Sequence, residues 1–425
     1  MSTPARSADV VVVGGGIIGR SVASSAARRG LSVIVVEAGG RTFGTSSANA
    51  GHLVPSHVVP FAAPGMVRAG LRSLAVRDGA FAIAPRAAVG LVPWLWRFAR
   101  SSTPANVERG VPVLRRLLEA TVDEVTRLRE AGFALDHASG GIMQVAGGAA
   151  SLKELHHEAE DWNRWGVRTE EFTAAALRAA EPMVTDRAVG GVLLADDGRF
   201  DPALLLAAVT DEGEQHGVVS VDATVKSLET AGRGARVHTT VGVIESRHVV
   251  VASGVWTPAL CRAFGVRLPI VPARGNSVTL PDAPKPNGPM LLVEQRLALS
   301  PLARGLRLTS GFRLTRPGDR DVNPARSREI VRRATQVLSL PANTAPANEW
   351  TGLRPATPDG LPIIGALPGA PAVIVAAGHG MLGSTSGPGT GEAVAALLMG
   401  DAPMVDAAAV SPARFVRTVR KESGR

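Results

Sequence analysis

Val10-Val11-Val12-Val13-Gly14-Gly15-Gly16-Ile17-Ile18-Gly19, with Glu37 eighteen residues beyond the last glycine, decides how this chain folds. Val10 to Val13 is an unbroken apolar run, the pattern of a central parallel strand covered on both faces. Gly14-Gly15-Gly16 then turns the chain. Arg20 to Arg29 reads as an alanine- and serine-rich helix closed by Gly30, and Val33 to Val36 as a second buried strand. Together they make a βαβ unit. Inside it, Gly14, Gly16 and Gly19 satisfy G-x-G-x-x-G, a weak pattern by itself among 47 glycines. Its place after a strand, at the opening of a helix and before an acid that ends the next strand gives it weight. Gly14 permits the tight turn, Gly16 lets a pyrophosphate approach the backbone, and Gly19 lets helix and strand pack closely. The helix start at Ile17 and Ile18 offers free N–H groups and a partial positive charge to a diphosphate. Glu37, followed by Ala38, can accept hydrogen bonds from both ribose hydroxyls and would repel a 2′-phosphate. FAD and NAD share this fingerprint, so it specifies a dinucleotide without choosing between them.

Outward from this unit, a glycine- and serine-rich loop runs from Gly39 to Gly51, and a mostly helical stretch extends from about Pro60 to Gly132. Gly141 to Val145 and Gly191 to Leu194 have strand character, and Asp201 to His216 reads as a helix with Pro202 early in its first turn. Val219 to Thr240 contains strand pairs, Val249 to Ala252 is another buried strand, and Leu268 to Arg316 alternates like an antiparallel sheet. The last strand, Val373 to Ala377, feeds a glycine-rich turn and a helix around Glu392 to Met399. Buried parallel-type strands thus stand at the start, middle and end, with antiparallel patterns between them. The expected fold is α/β: a discontinuous Rossmann-type domain (1–90, 195–265 and 348–425) with an inserted α+β substrate domain on an antiparallel sheet (91–194 and 266–347).

Composition excludes several classes. At 425 residues two domains are expected. No apolar run reaches the roughly 20 residues that cross a bilayer, and the start lacks a secretory pattern. Cys261 is the only cysteine, so the chain has no internal disulfide and no cysteine-based metal cage, as expected in a reducing cytoplasm. No histidine falls in a metal-ligand spacing, and no metal site is expected. The net charge of +9 rests on scattered arginines, with lysine only at Lys153, Lys226, Lys285 and Lys421 and no tyrosine. Without a basic-aromatic module this is not a nucleic-acid binder. Peripheral contact with an anionic membrane, at its cytoplasmic face, stays open.

A second glycine match, Gly378-His379-Gly380-Met381-Leu382-Gly383, also follows a strand and precedes a helix. No further strand with a terminal acid follows, so it is not a second Rossmann unit. Its backbone N–H groups and helix start suit a flavin ring, where they would stabilise negative charge near N1 and O2.

These residues resemble a known family. The block Val10 to Glu37, the segment Gly44-Thr45-Ser46-Ser47-Ala48-Asn49-Ala50-Gly51 and the segment Gly352-Leu353-Arg354-Pro355-Ala356-Thr357-Pro358-Asp359-Gly360-Leu361-Pro362-Ile363-Ile364-Gly365 look like the D-amino-acid oxidase superfamily. Within it the likeness is to the D-amino-acid dehydrogenase small subunit, with D-hydroxyproline dehydrogenases and glycine oxidases nearby. Asp201-Pro202 and Ser253-Gly254-Val255-Trp256 extend it through the middle of the chain. The resemblance implies FAD as cofactor and assigns Arg354 to the substrate carboxylate, a role its planar, permanently charged fork suits. It places Thr45, Ser46, Ser47, Asn49, Ala50 and Gly51 along the flavin and pyrophosphate, and Val225 beside the adenine. Ser253, Gly254 and Trp256 join the cofactor site. Gly380, Met381, Leu382, Gly383, Ser384 and Thr385 form the flavin-facing turn.

The chain also departs from the family. Ala48 stands where some relatives attach FAD through a histidine, so FAD is expected to be non-covalent. Met381 stands where glycine oxidases have an arginine, and the tyrosine that several relatives set beside the carboxylate arginine is missing. Arg313 stands near a carboxylate of many relatives, and either holds an acidic substrate or faces solvent. The implied reaction is FAD-dependent oxidation of the C–N bond of a D-amino acid or cyclic imino acid. Hydride passes to flavin N5, leaving an imine or 2-oxo acid, and electrons go on to a quinone or another acceptor. His52 either takes the amine proton or is a packed histidine, and His379 either contacts the flavin or is packed. The alternatives are an oxygen-using oxidase of the glycine or sarcosine oxidase type and, from another class, an FAD-binding subunit of a hetero-oligomer.

Overall fold

The computed structural model describes residues 6–39, 44–75, 81–341 and 344–416. β1 (Arg6–Val13), α1 (Ile17–Arg28) and β2 (Val33–Glu37) form the βαβ unit. β1 lies parallel between β2 and the strand Gly242–Val251, with Val10 beside Val33 on one side and His248 on the other. Val10, Val11 and Val12 are fully buried, which is why valine alternates with nothing polar there. α1 starts three residues before the expected Arg20, at Ile17, and Gly30 takes the left-handed conformation just past its end, with φ +86°.

The parallel sheet runs Val219–Asp222, β2, β1, Gly242–Val251, Ala370–Ala377. Its strands come from the start, middle and end of the chain, the discontinuous arrangement expected. A hairpin, Val225–Ala231 with Gly234–Thr239, extends it antiparallel, and Ile363–Leu367 pairs antiparallel with the last strand. A second sheet, of nine strands among the described residues, is mainly antiparallel and is built around Val271–Leu280, Leu297–Leu302, Gly305–Leu314 and Ala347–Ala356.

Two strands fall on the other side of the expected boundaries. Phe81–Ile83 pairs with Phe312–Leu314, and Ala347–Ala356 pairs along Val271–Thr279, so both belong to the second sheet. The helix Pro104–Glu130, expected in the inserted part, buries Val113 and Leu117 against the core beneath β1. Sheet membership is decided by hydrogen bonds to distant strands, which local patterns do not carry.

The C-terminal helix departs most from expectation. It begins at Gly383, not near Glu392, and runs through Pro388 to Met399. Glycine and proline are poor helix formers, yet here they allow close approach. A Cβ at Gly391 would lie 2.6 Å from the Ser21 carbonyl oxygen of α1, and one at Gly389 would overlap the Leu117 carbonyl. Tertiary packing overrides propensity. Ion pairs reinforce the contact: Arg28 with Glu124 and Glu392, Arg29 with Glu392, and Arg127 with Glu124 and Glu212.

Candidate active site

The C-terminal ends of the parallel strands open onto a cavity of about 440 Å³. Gly14, Gly16, Ile17 and Ile18 line it, as do Glu37 and Ala38. Gly14 has φ +110°, and a Cβ there would lie 2.6 Å from the Ala252 carbonyl oxygen. Gly19 stays outside the lining; a Cβ on it would overlap the Gly14 carbonyl, so it serves the packing of helix on strand. α1 opens at Gly16 without a side-chain cap, leaving its first turn to a ligand. The exception is Ile17, whose N–H donates to Ser46 Oγ at 2.9 Å. The Glu37 carboxylate accepts the Gly15 N–H, and burial, its largest influence, pushes its pKa above the usual carboxylate range while that hydrogen bond and Arg20 pull it back.

The Gly44–Gly51 segment is strapped across the cavity. Thr45 Oγ1 donates to the Leu353 carbonyl at 3.0 Å, and Asn49 Nδ2 donates to Ser384 Oγ at 2.6 Å. From the second sheet, Ser277 Oγ donates to the Ala48 carbonyl and Arg307 Nη1 to the Asn49 carbonyl. Thr45, Ser46 and Asn49 line the cavity. Ser47, Ala50 and Gly51 do not: Gly51, φ +73°, is set against the Phe200 carbonyl, and its N–H goes to Asn49 Oδ1. Val225, Ser253, Gly254 and Trp256 also line the cavity, as do Gly380, Met381, Gly383 and Ser384. Thr385 sits behind them, its hydroxyl donating to the His52 carbonyl at 2.8 Å.

Arg354 lines the same cavity from the strand Ala347–Ala356. Its side chain crosses Gly275 of the neighbouring strand, where any Cβ would overlap the guanidinium, and Nη1 donates to the Gly311 carbonyl at 2.8 Å. Burial lowers its pKa to about 10. No carboxylate among the described residues pairs with it. A desolvated cation without a counter-ion is a place for an anion.

A second cavity, about 790 Å³, shares His379, Gly380 and Met381 with the first. Leu382 faces this one, together with His57, Phe61, Trp162, Trp165 and Phe312. His57 Nδ1 is 3.1 Å from Ser56 Oγ, and that hydroxyl donates to Asp197 Oδ2 at 2.7 Å. Burial pushes Asp197 up to about 7 and His57 down to about 4. His52 lines neither cavity. Its Nε2 is 3.0 Å from the Leu299 carbonyl and burial holds it at about 4, so it is the packed histidine of the two readings. His379 is neutral, pushed down to about 3 by burial, with Nε2 at 3.0 Å from Thr390 Oγ1 and Nδ1 buried without a partner. Arg313 also lies outside both linings. At Gly311, φ +91°, two residues oppose one across the strand pair, so Phe312 turns to the cavity and Arg313 falls beside Arg274.

A sequence profile described as FAD dependent oxidoreductase (DAO) matches residues 9–397. The chain belongs to that family. Curated relatives in it include D-amino acid dehydrogenase of Cereibacter sphaeroides, 32% identical over 97% of this chain and 96% of that protein. Another is D-amino acid dehydrogenase of Methylobacterium radiotolerans, 34% identical over 93% and 97%. Among solved structures, glycine oxidase from Geobacillus kaustophilus has a TM-score of 0.75 at 23% identity, covering 97% of this chain and all of that one, a likeness of fold. L-proline dehydrogenase from P. horikoshii has a TM-score of 0.70 at 21% identity, covering 97% and 98%.

FAD is therefore the cofactor, and the smaller cavity fits it. Backbone at Gly14 and Gly16 has no side chain to obstruct a diphosphate, an uncapped helix start faces it, and Glu37 stands at the ribose end. Sequence reasoning missed several lining residues. Thr224 and Arg320 are examples, the latter with its guanidinium 5.4 Å from the Trp256 ring centroid. Thr224, next to Val225, was within reach of the motif; Arg320 sits in a loop with no local signature.

Proposed function

We propose that this FAD-dependent oxidoreductase oxidises the C–N bond of a D-amino acid or cyclic imino acid and passes the electrons to a quinone or another acceptor. The observation that carries the reading is Arg354, a desolvated guanidinium with no carboxylate partner among the described residues, in the wall of the cavity that the glycine turn and Glu37 line. The two D-amino acid dehydrogenase relatives, matched over nearly the whole chain, support the substrate class. FAD, when bound, supplies a two-electron acceptor at N5 for the hydride of the substrate α-carbon. Arg354 binds the carboxylate in two parallel hydrogen bonds and so fixes which substituent faces the cofactor. Gly14, Gly16, Ile18 and Glu37 would hold the dinucleotide, Val225 the adenine, and Gly380, Met381, Gly383 and Ser384 the ring. Thr385 positions that turn through its bond to His52.

Burial makes His52, His57 and His379 weak bases, holding them at about 4, about 4 and about 3, too low to take up an amine proton. The amine therefore gives up its proton to solvent before reaction, and the released imine hydrolyses in water. FAD attachment is non-covalent in this reading: position 48 is alanine, and Cys261 is buried in the core of the first sheet, its thiol pushed up to about 12. The division into a discontinuous cofactor part and an inserted substrate part belongs to the same proposal. So does placement in the cytoplasm or against the inner face of the membrane; no helix among the described residues is long and apolar enough to cross a bilayer.

Anaerobic bleaching of the bound flavin by D-, L- and N-substituted amino acids tests the proposal. D-amino or cyclic imino acids bleach it, and turnover then proceeds with a quinone or dye. No bleaching by any of them would refute the substrate class. Stoichiometric hydrogen peroxide in air would move the enzyme to the oxidases, and absence of turnover until another subunit is added would make it part of a complex.

A further inference from the structure

Two helices of the described residues carry the most exposed apolar side chains, and nothing in the site uses them. The helix Ala88–Ser101 buries Leu91 and Trp94 and turns Val89, Val92 and Trp96 outward, 89%, 60% and 59% exposed. The spacing i, i+3, i+7 puts these three on one stripe. The helix Met66–Ala75 adds Leu71, 64% exposed, and Leu74. Both helices rest on the short strand Phe81–Ile83. Ser73 Oγ accepts the Phe81 N–H, and Phe81 packs in one apolar cluster with Leu91 and Trp94.

Every exposed charge on these two helices is positive: Arg68 and Arg72 on one, Arg97 and Arg100 on the other, with exposed Arg86 just before it. Neither helix contains an acidic residue. The Arg100 guanidinium lies over the Trp96 ring, 4.8 Å from its centroid, a cation stacked on an apolar face. Exposed neutral polar side chains are missing too; Ser73 is turned inward. A protein partner is ordinarily met by a polar rim that forms hydrogen bonds. Apolar side chains and arginines alone suit a different occupant, the boundary between acyl chains and anionic headgroups.

We propose that the Ala88–Ser101 helix, assisted by Met66–Ala75, docks this enzyme on an anionic phospholipid bilayer. Val89, Val92 and Trp96 enter the acyl boundary, and the arginines pair with lipid phosphates. This deepens the membrane association proposed above and does not depend on which substrate is oxidised. The docked helices also contribute to the larger cavity: Met66 lines it, and lining residue Phe61 packs on Phe98 at 5.7 Å between ring centroids. Docking therefore sets that cavity close to the lipid.

Co-sedimentation of the FAD-loaded protein with vesicles tests the proposal. The protein should sediment with mixed phosphatidylcholine–phosphatidylglycerol vesicles, less so at high salt, and weakly with phosphatidylcholine alone. Val89→Ser with Trp96→Ser, and separately Arg97→Glu with Arg100→Glu, should each lower partitioning by about tenfold or more. The flavin spectrum and turnover with a soluble dye should be unchanged, which separates loss of docking from loss of fold or of the oxidation reading. Should the apolar pair lose its flavin, the arginine pair decides alone. Absence of binding to the mixed vesicles, equal binding by the variants, or a dimer in solution that the same substitutions dissociate would each overturn the proposal.

Discussion

Half-buried Arg354 and buried Asp197 are two titratable groups for which the structure pays desolvation in different currencies. Arg354 keeps one protein hydrogen bond and leaves the rest of its fork open to the cavity. Arg354→Ala should raise the apparent dissociation constant of the substrate by about thirtyfold or more, while FAD stays bound. Unchanged affinity in an anaerobic titration would remove it from the carboxylate. Asp197 holds its proton longer in the native state than the usual unfolded carboxyl, because burial raises it to about 7. Between about pH 4 and about pH 7 the unfolded chain has released a proton that the native chain keeps, so stability falls as pH rises through this window and then levels. Asp197→Asn should flatten that slope, worth on the order of a few kcal/mol, in melting curves across the window. Arg354 was legible as a residue type in a motif. Asp197 was not, since its raised pKa comes from burial, which outweighs the lowering hydrogen bonds from distant Ser56, and both arise only once the chain has folded.

At the scale of elements, the glycine-rich start of the C-terminal helix is the informative case. Gly389→Ala in an isolated helix would stabilise by about 1 kcal/mol. Here the sign should reverse, because the methyl group would meet the Leu117 carbonyl, and a loss of about 1–3 kcal/mol is expected in thermal or denaturant unfolding. Gly391→Ala, set against Ser21 of α1, should behave alike. A stabilised variant would show that the helices are not in contact as described. From sequence, Gly383 to Gly391 read as a turn since glycine and proline break helices locally. The packing partner, α1, lies more than 300 residues earlier, beyond any local window. The same limit explains why Phe81–Ile83 and Ala347–Ala356 crossed the expected boundaries, whereas β1, α1 and β2 were readable: their strand, turn and acid are contiguous, and Val10 to Val13 has one stable environment.

Across the whole molecule, FAD joins parts that the chain keeps apart: Gly14, Gly16 and Glu37, then Thr45, Ser46 and Asn49, then Val225 and Ser253 to Trp256, and finally Gly380, Met381, Gly383 and Ser384 line one cavity. A ligand that binds only the assembled state stabilises it by mass action, about 2.7 kcal/mol at a hundredfold excess over its dissociation constant. Removing FAD should therefore lower the melting temperature of both sheets together, and adding it back should restore it. Separate melting of the two sheets, with only one responding, would show that the cofactor does not couple them. The discontinuous architecture was legible because Val10 to Val13, Val33 to Val36, Val249 to Val251 and Val373 to Ala377 are unbroken apolar runs at the start, middle and end of the chain.

The central claim is that the first forty residues cradle a diphosphate and that the C-terminal turn returns over the flavin. Titrating FAD into flavin-free protein, with flavin fluorescence as the readout and ADP and NAD as competitors, tests this most directly. One FAD per chain, displaced by ADP at high concentration and poorly by NAD, with binding weakened by Glu37→Ala, is the predicted result. Protein that stays colourless and takes up no FAD, or that binds NAD in its place, would contradict it.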